Sequence, residues 1–505
     1  KMAAIITSKF RLDTTNKFVG SLSDNQFYMA LGRPNAWTPS DAVPDTPYEN
    51  DYASNTLWEN MFAMKRVDAA DIIHSSPRNL WVSGTTYAEY DDQDTNIESK
   101  VYFVITTNNN VYMCLKAGTG ASSVDPDVIG VQVSGVHVTG ADGYIWKYMF
   151  TLTSTLATKF LTSSFIPVKH IKENPGSGDL ALANQWSVQE AAVDGAIYNM
   201  KITTAGTGYT SAPTLAIVGD GASAEATATV SDGAITGITM TDVGTGYTHA
   251  TVTITGGGGS NGAIRPVIGP VGGFGADPTN DLRSHYVTVN SIFTGDESGA
   301  IPDANDFRQI ALCKNPIKSG ATASVTVTAA NSMVIGQFYK ILTIGTTTDA
   351  LWITAGSSAN PVVGEVFKAI AATVTGSTTG TIAGIAEGSA YNPAKNLAVA
   401  NTTTFAVDAV IESITSGGAV VAKAMVVEHV GGVLHYIQNE VTGFGTFNAS
   451  NNIRLEGTSG SGEDVTAVTT PLINHHSGDV MFIENRSKTT RDTGQIETVR
   501  LVIAF

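Results

Sequence analysis

The segment VYFVITTNNNVYMCLKA, residues 101–117, alternates apolar with other side chains on both sides of a run of three asparagines. Such alternation around an Asn-rich turn is typical of two antiparallel strands joined by a tight connection. The alternating apolar positions are Val101, Phe103 and Ile105 before the turn and Val111, Met113 and Leu115 after it. This stretch predicts a β-hairpin, and with it a β fold.

A further strand is predicted in GYIWKYMFTL, residues 143–152. On a strand, Tyr144, Trp146, Tyr148 and Phe150 would all lie on one face. Such a stripe could stack against sugars, but it more often forms one wall of a core or of a subunit contact. The same interpretation applies to three other aromatic side chains of the first part, Trp37, Trp58 and Trp81.

The composition also favours β structure. A chain of 505 residues is too long for one ordinary core, so we expect roughly two to four domains. Hydrophobic residues make up 42% and charged residues 15%, a balance that supports folded cores. Fifty-one glycines, with abundant Thr, Val and Ala, predict many short strands joined by tight turns. The fold class predicted is mainly β.

The charge balance limits the partners. Asp and Glu number 45 against 29 Lys and Arg, which gives a net charge of −16. A polyanion-binding protein normally carries a basic face, so nucleic acid and anionic membranes are disfavoured. No uninterrupted apolar run approaches the ~18 residues of a membrane span, and we predict no membrane insertion. The N-terminal segment KMAAIITSKFR lacks the apolar region of a signal peptide, so we expect synthesis without Sec export.

The sequence contains two cysteines, Cys114 and Cys313. Each lies in a strand-like run, VYMCLK or IALCKN, where a small buried apolar side chain is the expected role. Two cysteines do not make a disulfide framework, which suits a reducing cytoplasm as the place of synthesis and assembly.

An internal repeat follows at about residue 202. TTAGTGYTSAPTLAIVGDGAS (203–223) is echoed by TMTDVGTGYTHATVTITGGGG (239–259), and the shared motif Gly-Thr-Gly-Tyr-Thr returns after 38 residues. We predict a small β-repeat domain, with glycines in positive-φ turns and each tyrosine capping a neighbouring hairpin. A phosphate-binding loop is the alternative, but the following helix and the P-loop lysine are missing.

The pattern predicts one helix and a C-terminal strand. Thr56 and Glu59 match a capping box, and Leu57, Met61 and Met64 recur at helical spacing, so a helix is predicted near 57–66. The last eight residues, TVRLVIAF, have apolar side chains at alternate positions: Val499, Leu501, Ile503 and Phe505. This alternation predicts that the chain ends as a strand within a sheet.

Two clusters could bind an ion. His475-His476, with Asp479 and Glu484, is the densest group of histidines and carboxylates, but adjacent histidines on a strand point to opposite faces. Residues 90–94, YDDQD, resemble part of a calcium loop but lack its glycine and its terminal glutamate. We therefore predict a polar turn at the histidines and no cofactor, metal or catalytic site. Paired carboxylates that converge in the fold stay open as an alternative.

Five segments resemble, in order, the dimeric baseplate wedge subunit of T-even-type contractile-tailed phages, the gene product eight family. They are AIITSKFR (4–11), LGRPNAW (31–37), GADGYIWKYMF (140–150), FRQIALCKNPI (307–317) and SGDVMFIENR (477–486), and NQWSVQEAAVDGAIYNMKI (184–202) is also similar. Motif residues expected to have structural or interface roles are Ser8, Lys9, Arg11, Gly32, Arg33, Trp37, Gly143, Tyr144, Trp146, Tyr148, Phe307, Arg308, Gln309, Asn315, Pro316, Gly478, Asp479, Glu484, Asn485 and Arg486.

This resemblance implies a layered β-sandwich with short helices in its loops and no enzymatic activity. It implies a homodimer in each of six wedges, beside other baseplate wedge proteins, in the tail of a virion. It divides the chain into a discontinuous wedge-protein body and inserted β-domains with no counterpart in that subunit. The body is 1–201 with 283–317 and 471–505, and the inserts are 202–282, 318–390 and 391–470. The inserts are candidates to contact tail fibres or neighbouring wedges.

The matched residues also carry physical expectations. Arg33, Arg308 and Arg486 lie among apolar strands, so each needs a carboxylate or carbonyl partner at a strand end or subunit contact. Gly32, Gly143 and Gly478 are expected where strands begin or end, and Asn315-Pro316 is expected to stop a strand. Two other functions stay open: a receptor- or glycan-binding tail fibre, suggested by the Gly/Thr repeats, and a cell-wall-degrading tail enzyme.

Overall fold

The computed structural model describes residues 6–37, 39–45, 51–133, 138–324, 333–372, 379–400 and 403–505. It is 41% strand and 14% helix, with several antiparallel sheets and a few short helices, so the prediction of a mainly β fold is confirmed. The helices are α1 (Ser8–Gly20), α2 (Asp51–Asn60), α3 (Ser154–Phe160), α4 (Leu180–Glu190), α5 (Pro278–Asp281) and α6 (Asp349–Ala355). None of these described helices combines the length and apolar character needed to cross a membrane.

The strands of the first half are β1 (Phe27–Gly32), β2 (Met61–Val67), β3 (Ile72–Pro77), β4 (Phe103–Ile105), β5 (Asn110–Lys116), β6 (Val138–Thr139), β7 (Ile145–Thr151), β8 (Phe165–Val168), β9 (Ile197–Thr207), β10 (Thr214–Gly219), β11 (Ala222–Ser231), β12 (Ala234–Thr245), β13 (Ala250–Thr255) and β14 (Ser260–Ile268). Those of the second half are β15 (Tyr286–Thr294), β16 (Phe307–Lys314), β17 (Ile317–Ser324), β18 (Phe338–Thr343), β19 (Val366–Lys368), β20 (Thr381–Ile385), β21 (Ala390–Tyr391), β22 (Lys395–Val399), β23 (Val410–Ile414), β24 (Val420–Val430), β25 (Val433–Ile437), β26 (Asn452–Leu455), β27 (Glu463–Thr469), β28 (Asp479–Thr489) and β29 (Ile496–Ala504).

The chain forms two compact units. Unit 1 comprises Lys1–Val19, Ile73–Val289 and Leu501–Phe505, and unit 2 comprises Gly20–Ile72 and Asn290–Arg500. The C-terminal strand β29 is the first strand of a four-stranded sheet with the order β29-β15-β3-β8. The division into a wedge-protein body and three inserts stays a prediction.

The predicted hairpin forms in unit 1. Strands β4 and β5 pair antiparallel, with Phe103 opposite Met113, and β5 also pairs with β7 in a sheet of order β4-β5-β7-β6. Both faces of this sheet are covered. One packs in a core with Phe103, Ile105, Val111, Met113 and Leu115, and the other in a core with Val104, Tyr112, Cys114, Tyr144, Trp146 and Tyr148.

The predicted aromatic stripe is correct for three of its four residues. Tyr144, Trp146 and Tyr148 share one core, but Phe150 packs in the core on the other face, so that part of the prediction is wrong. The cause is a β-bulge in β7. Val111 of β5 lies opposite Phe150, but the next residue of β5, Tyr112, lies opposite Tyr148, so Met149 is an extra residue without a partner position. A bulge shifts the alternation of side chains by one position.

The repeat module, residues 194–268, is built from two copies of a three-stranded unit in unit 1. The first copy is β9, β10 and β11, and the second is β12, β13 and β14. Strand β11 pairs with β12, β14 pairs with β9, and β10 pairs with β13. The repeat begins upstream of the tyrosine motif, because Asp194-Gly195-Ala196-Ile197 returns as residues 232–235. Each copy is therefore completed by strands of the other copy.

The tyrosines of the module interlock the two copies. Tyr209 N–H donates to Gly233 O at 3.0 Å, in the turn between β11 and β12, and Tyr247 N–H donates to Gly195 O at 3.3 Å. Both rings are buried in the module core. A Cβ at Gly259 would lie 2.4 Å from the Tyr209 ring, and one at Gly221 would lie 2.4 Å from the Tyr247 ring. Each ring therefore needs a glycine beneath it.

Unit 2 contains three β assemblies. A five-stranded sheet has the order β21-β2-β1-β16-β28, a four-stranded sheet has the order β17-β20-β18-β19, and a closed barrel has the order β22-β25-β24-β23-β26-β27. The barrel is filled by its own apolar side chains, including Leu397, Ile411, Val426 and Ile453. Cys313 in β16 is fully buried, as is Cys114 in β5, which confirms the expected role of both cysteines.

The helix predicted near 57–66 is wrong in its extent. Helix α2 ends at Asn60, and Met61 begins β2, where Met61 and Met64 are buried against neighbouring strands. A run that is apolar on every side fits a buried strand as well as a helix, and pairing with β1 decides for the strand. Thr56 lies inside α2, where its hydroxyl donates to the carbonyls of Tyr52 and Ala53 and caps nothing.

Candidate functional site

Three of the motif segments are adjacent strands of the five-stranded sheet of unit 2. LGRPNAW follows from β1, FRQIALCKNPI contains β16, and SGDVMFIENR contains β28. Gly32 is opposite Gln309, and Gln309 is opposite Asn485 on the other side. The Gln309 Nε2 donates to Asn485 Oδ1 at 3.0 Å. Segments far apart in the chain thus meet side by side.

Arg33 is held in a buried position just after β1. It has φ +59° and is 5% exposed. Its Nη1 lies 2.6 Å from Glu440 Oε1, and its guanidinium lies 4.0 Å from the centroid of the Trp37 ring. The left-handed backbone turns the side chain back over the indole, where stacking and the ion pair both stabilise the charge.

Arg308 and Arg486 bind the same loop. Arg308 Nε donates to Asp41 at 2.8 and 2.9 Å, and its Nη1 donates to Pro34 O. The hydrogen bonds from the Trp37 backbone and from Arg308 hold the pKa of Asp41 below its ordinary value, against some desolvation. The Arg486 carbonyl accepts from Trp37 Nε1 at 3.0 Å. Arg308 thus binds residues 33–37 and 39–41, which we call the arginine loop, through its guanidinium. Arg486 binds it through its backbone carbonyl, and the Arg486 Nε is buried without a hydrogen-bond partner, so the carboxylate or carbonyl partner expected for this side chain is not found among the described residues.

The strand ends around the arginine-loop sheet depend on special backbone positions. Gly478 has φ +73°, and a Cβ there would lie 2.4 Å from Lys314 O. Asn315 has φ +52° between β16 and β17, and its side chain accepts from Gln26 N at 2.8 Å and donates to Asn25 Oδ1 at 2.6 Å. The end of β16 at Asn315 is thereby fixed by hydrogen bonds to the segment before β1, and the chain continues into a different sheet at β17.

The motif residues of the first segment and of the aromatic strand lie in unit 1. Ser8, Lys9 and Arg11 belong to α1, and Arg11 Nη1 lies 3.3 Å from Glu98 Oε2. Gly143, with φ +84°, precedes β7. Tyr144 and Trp146 stack with ring centroids 5.7 Å apart. Phe307, the first residue of β16, is in unit 2, where its ring lies 5.8 Å from the Arg486 guanidinium.

His475 and His476 face a carboxylate that sequence reasoning missed. His475 Nδ1 lies 3.4 Å and His476 Nε2 3.1 Å from Glu59 Oε1, while Lys395 Nζ lies 2.6 Å from Glu59 Oε2. The prediction of a polar turn before a strand is confirmed, because His475 and His476 lie in the turn that precedes β28, where His476 has φ +59°. Asp479 and Glu484 instead lie in β28, opposite Lys314 and Ile310.

The electrostatics of Glu59 are dominated by its partners. Burial alone raises the pKa of this carboxyl, but hydrogen bonds from His475 and Lys395, with the charge of Lys395, lower it to about 2. Glu59 is therefore ionised at neutral pH in a largely buried position. Helix α2 supplies Glu59 from its last turn, and β22 supplies Lys395 from its first residue.

The acidic segment 90–94 is neutralised by basic side chains of unit 1. Arg265 Nη2 donates to both oxygens of Asp91, at 2.6 and 2.5 Å, and Lys201 Nζ lies 2.7 Å from Asp91 Oδ2. Lys100 pairs with Asp94. Among the described residues, no group of three or more His, Cys, Asp or Glu side chains has the arrangement of a metal site.

Glu59, His475, His476 and Lys395 together form what we call the Glu59 cluster. Three clefts of about 650, 530 and 460 Å³ surround this cluster in unit 2. His476 lines all three, and Glu59 and Lys395 line the two smaller ones. The 460 Å³ cleft also exposes two aromatic side chains, Tyr52 (71% exposed) and Phe444 (59% exposed). Neither aromatic was singled out from the sequence, because no local pattern marks them.

The comparison with known proteins gives one distant similarity. The chain is 24% identical over 246 residues to the protein named baseplate wedge protein gp8 of Enterobacteria phage T4. The matched region covers 40% of this chain and 71% of that protein. No protein-family model matches the chain. The similarity suggests a phage baseplate wedge family and a structural role in the tail baseplate of a virion.

Proposed function

We propose that this protein is a non-enzymatic structural subunit of a phage tail baseplate wedge. The observation that carries the proposal is the similarity to a baseplate wedge protein over 246 residues. The proposed work is mechanical: the subunit links neighbouring wedge proteins and transmits a rearrangement when the tail attaches to a host. Such work requires rigid, complementary surfaces and no turnover.

The geometry of unit 2 supports this proposal. Three segments that resemble the wedge family by motif form neighbouring strands, and Arg308 in one of them binds Asp41 and the Pro34 carbonyl of the arginine loop. Within the loop, Arg33 lies over the Trp37 ring. Buried, charge-assisted contacts of this kind fix the loop in one conformation. Fixed loops of this kind suit a subunit whose surfaces must keep one shape in an assembly.

The proposal is tested on purified virions of the phage that encodes the chain. Mass spectrometry of isolated tails and cryo-electron microscopy of the baseplate should find the protein in the tail tip, at about 12 copies if two occupy each of six wedges. Deletion of the gene should yield particles without a complete baseplate. Location in the capsid alone, or normal baseplates after deletion, contradicts the proposal.

We further propose a homodimer within each wedge, with the inserted β-domains in contact with tail fibres or neighbouring wedges. Light scattering of the purified protein should give twice the mass of one chain. A trimer would instead support the receptor-binding fibre alternative, since fibres of that kind are commonly threefold. Release of reducing sugars from host envelopes would favour the tail-enzyme alternative.

A further inference from the structure

The 460 Å³ cleft of unit 2 has one wall made by a single face of α2. Tyr52, Asn55, Thr56 and Glu59 are spaced at i, i+3, i+4 and i+7, so they share one side of the helix, and all four line the cleft. The opposite side of α2 carries Leu57 and other buried residues. The helix therefore presents an aromatic ring, an amide, a hydroxyl and a carboxylate to one cavity.

The facing wall comes from the first strand of the barrel and from a loop that joins two of the barrel strands. Lys395 opens β22, and Phe444 lies in the loop between β25 and β26. Phe444 is 59% exposed and Tyr52 is 71% exposed, although large aromatic side chains are usually buried. Two exposed rings on the two walls of one cleft offer apolar surfaces to an occupant between them.

The charges of the cleft are already matched to each other. Glu59 and Lys395 line both smaller clefts, and Lys395 Nζ lies 2.6 Å from Glu59 Oε2. A strongly anionic or cationic ligand would have to compete with this pair and leave one partner unmatched. A neutral ligand with many hydroxyl groups can instead hydrogen-bond to the polar side chains around the pair and keep it intact.

We propose that this cleft binds a neutral saccharide. The apolar C–H faces of the sugar ring pack on Tyr52 and Phe444, and its hydroxyl groups bond to Asn55, Lys395 and His476. The volume of 460 Å³, with the adjoining 530 Å³, lies within the range of about 300–1,000 Å³ that small-molecule sites occupy. This binding activity is independent of the baseplate role and adds recognition to a structural subunit.

The experiment uses the full-length purified protein on an array of neutral and acidic oligosaccharides, followed by titration calorimetry with the best neutral oligosaccharide. We expect binding to neutral sugars with an affinity unchanged between low and high salt, because no net charge is exchanged. The double variant Tyr52→Ala/Phe444→Ala should lose about tenfold or more in affinity. The matched control is Phe10→Ala, which removes an aromatic ring of similar exposure (61%) from α1 and should leave the affinity unchanged.

Three outcomes overturn the proposal: no neutral oligosaccharide binds, the double variant binds as tightly as the original protein, or binding is confined to acidic sugars and disappears at high salt. Circular dichroism of each variant separates loss of the site from loss of the fold. Extracted host surface polysaccharide and enzymatically deglycosylated virions, used as competitors, distinguish a host sugar from a sugar carried by a virion protein. Virion incorporation of the double variant tests the baseplate role separately and should be normal.

Discussion

The repeat module of unit 1 and the arginine-loop sheet of unit 2 are both antiparallel, but they are stabilised over different distances in the chain. In the module, strands within 75 residues complete one another, and each tyrosine ring rests on a glycine of the neighbouring turn. In the sheet, Arg308 binds Asp41 across 267 positions and Arg33 binds Glu440 across 407. The fold of the repeat module is determined by contacts between neighbouring copies of one short sequence. The arginine-loop sheet depends instead on a few buried polar contacts between distant segments. The two regions should therefore respond differently to mutation.

The largest effect is expected from Arg308→Ala. This change removes the partner of Asp41 and leaves the buried Pro34 carbonyl without its donor, so the free energy of unfolding should fall by about 3 kcal/mol. This loss lies at the lower end of the range expected when one partner of a buried ion pair is removed, because the Asp41 side chain is 30% exposed. Hydrogen exchange of the β16 amides measures the loss within the sheet. Lys423→Ala, which breaks an exposed pair with Glu456, serves as the control and should change the free energy of unfolding far less than Arg308→Ala does.

The next effect concerns pH and Glu59. The pKa of Glu59 is lowered to about 2 in the folded state from an ordinary value near 4.5. The folded state is therefore stabilised above pH 4.5, and this stabilisation, about 2–3 kcal/mol, is lost as pH falls through 2. Glu59→Gln should flatten the acid dependence of unfolding between pH 5 and 2, as measured by urea denaturation. An unchanged acid dependence in this variant would show that Glu59 is not the group involved.

A smaller effect should distinguish the module. Gly221→Ala and Gly259→Ala each place a Cβ 2.4 Å from a tyrosine ring, and each should destabilise the module by about 1–3 kcal/mol. Because the two copies are equivalent, the two losses should be similar. Gly237→Ala in β12 is the matched control, since its nearest neighbour would be Thr229 at 3.7 Å. Unequal losses at Gly221 and Gly259 would contradict the equivalence of the copies.

The smallest effect is expected at Asp220, where the two copies differ. Asp220 accepts hydrogen bonds from the Thr248 and His249 amides and from the Thr248 hydroxyl, while the equivalent position of the second copy is Gly258. The site is at the surface, so Asp220→Ala should lower the thermal midpoint less than either glycine variant. Thermal unfolding followed by circular dichroism gives the ranking. A larger loss than at Gly221 would mean that the surface bonds outweigh the ring packing.

Local patterns in the sequence predicted local structure well. The hairpin at 101–117 and most of the aromatic strand followed from alternation of side chains, and both are present. Phe150 was assigned to the wrong face because a bulge leaves no mark in the sequence. Residues 61–66 were assigned to a helix because Met61 and Met64 continue the helical spacing from Leu57, although in the strand every residue of 61–64 is buried and the spacing has no meaning. Helix α4 was not predicted, although Asp179 caps it by accepting from Ala181 N and Leu182 N.

The candidate site was largely hidden from sequence reasoning. His475 and His476 were noted as a polar turn, but Glu59 is more than 400 positions earlier and Lys395 belongs to the barrel. Only the fold brings these residues together, and single-sequence periodicity contains no information on such pairs. The need of Arg33 and Arg308 for acceptors was predictable from burial of charge, but the identity of Glu440 and Asp41 was not.

The pairing of β9 with β14 has a practical consequence. Ile197 and Ile268 are cross-strand partners, so the polypeptide enters and leaves the module at neighbouring points. The two flanks can therefore be rejoined by a short turn. Removal of the module would, however, leave Asp91 without Lys201 and Arg265 and would take Ala196, Tyr198 and Val267 out of a core of unit 1. The module is thus tied into unit 1 by both charge and packing.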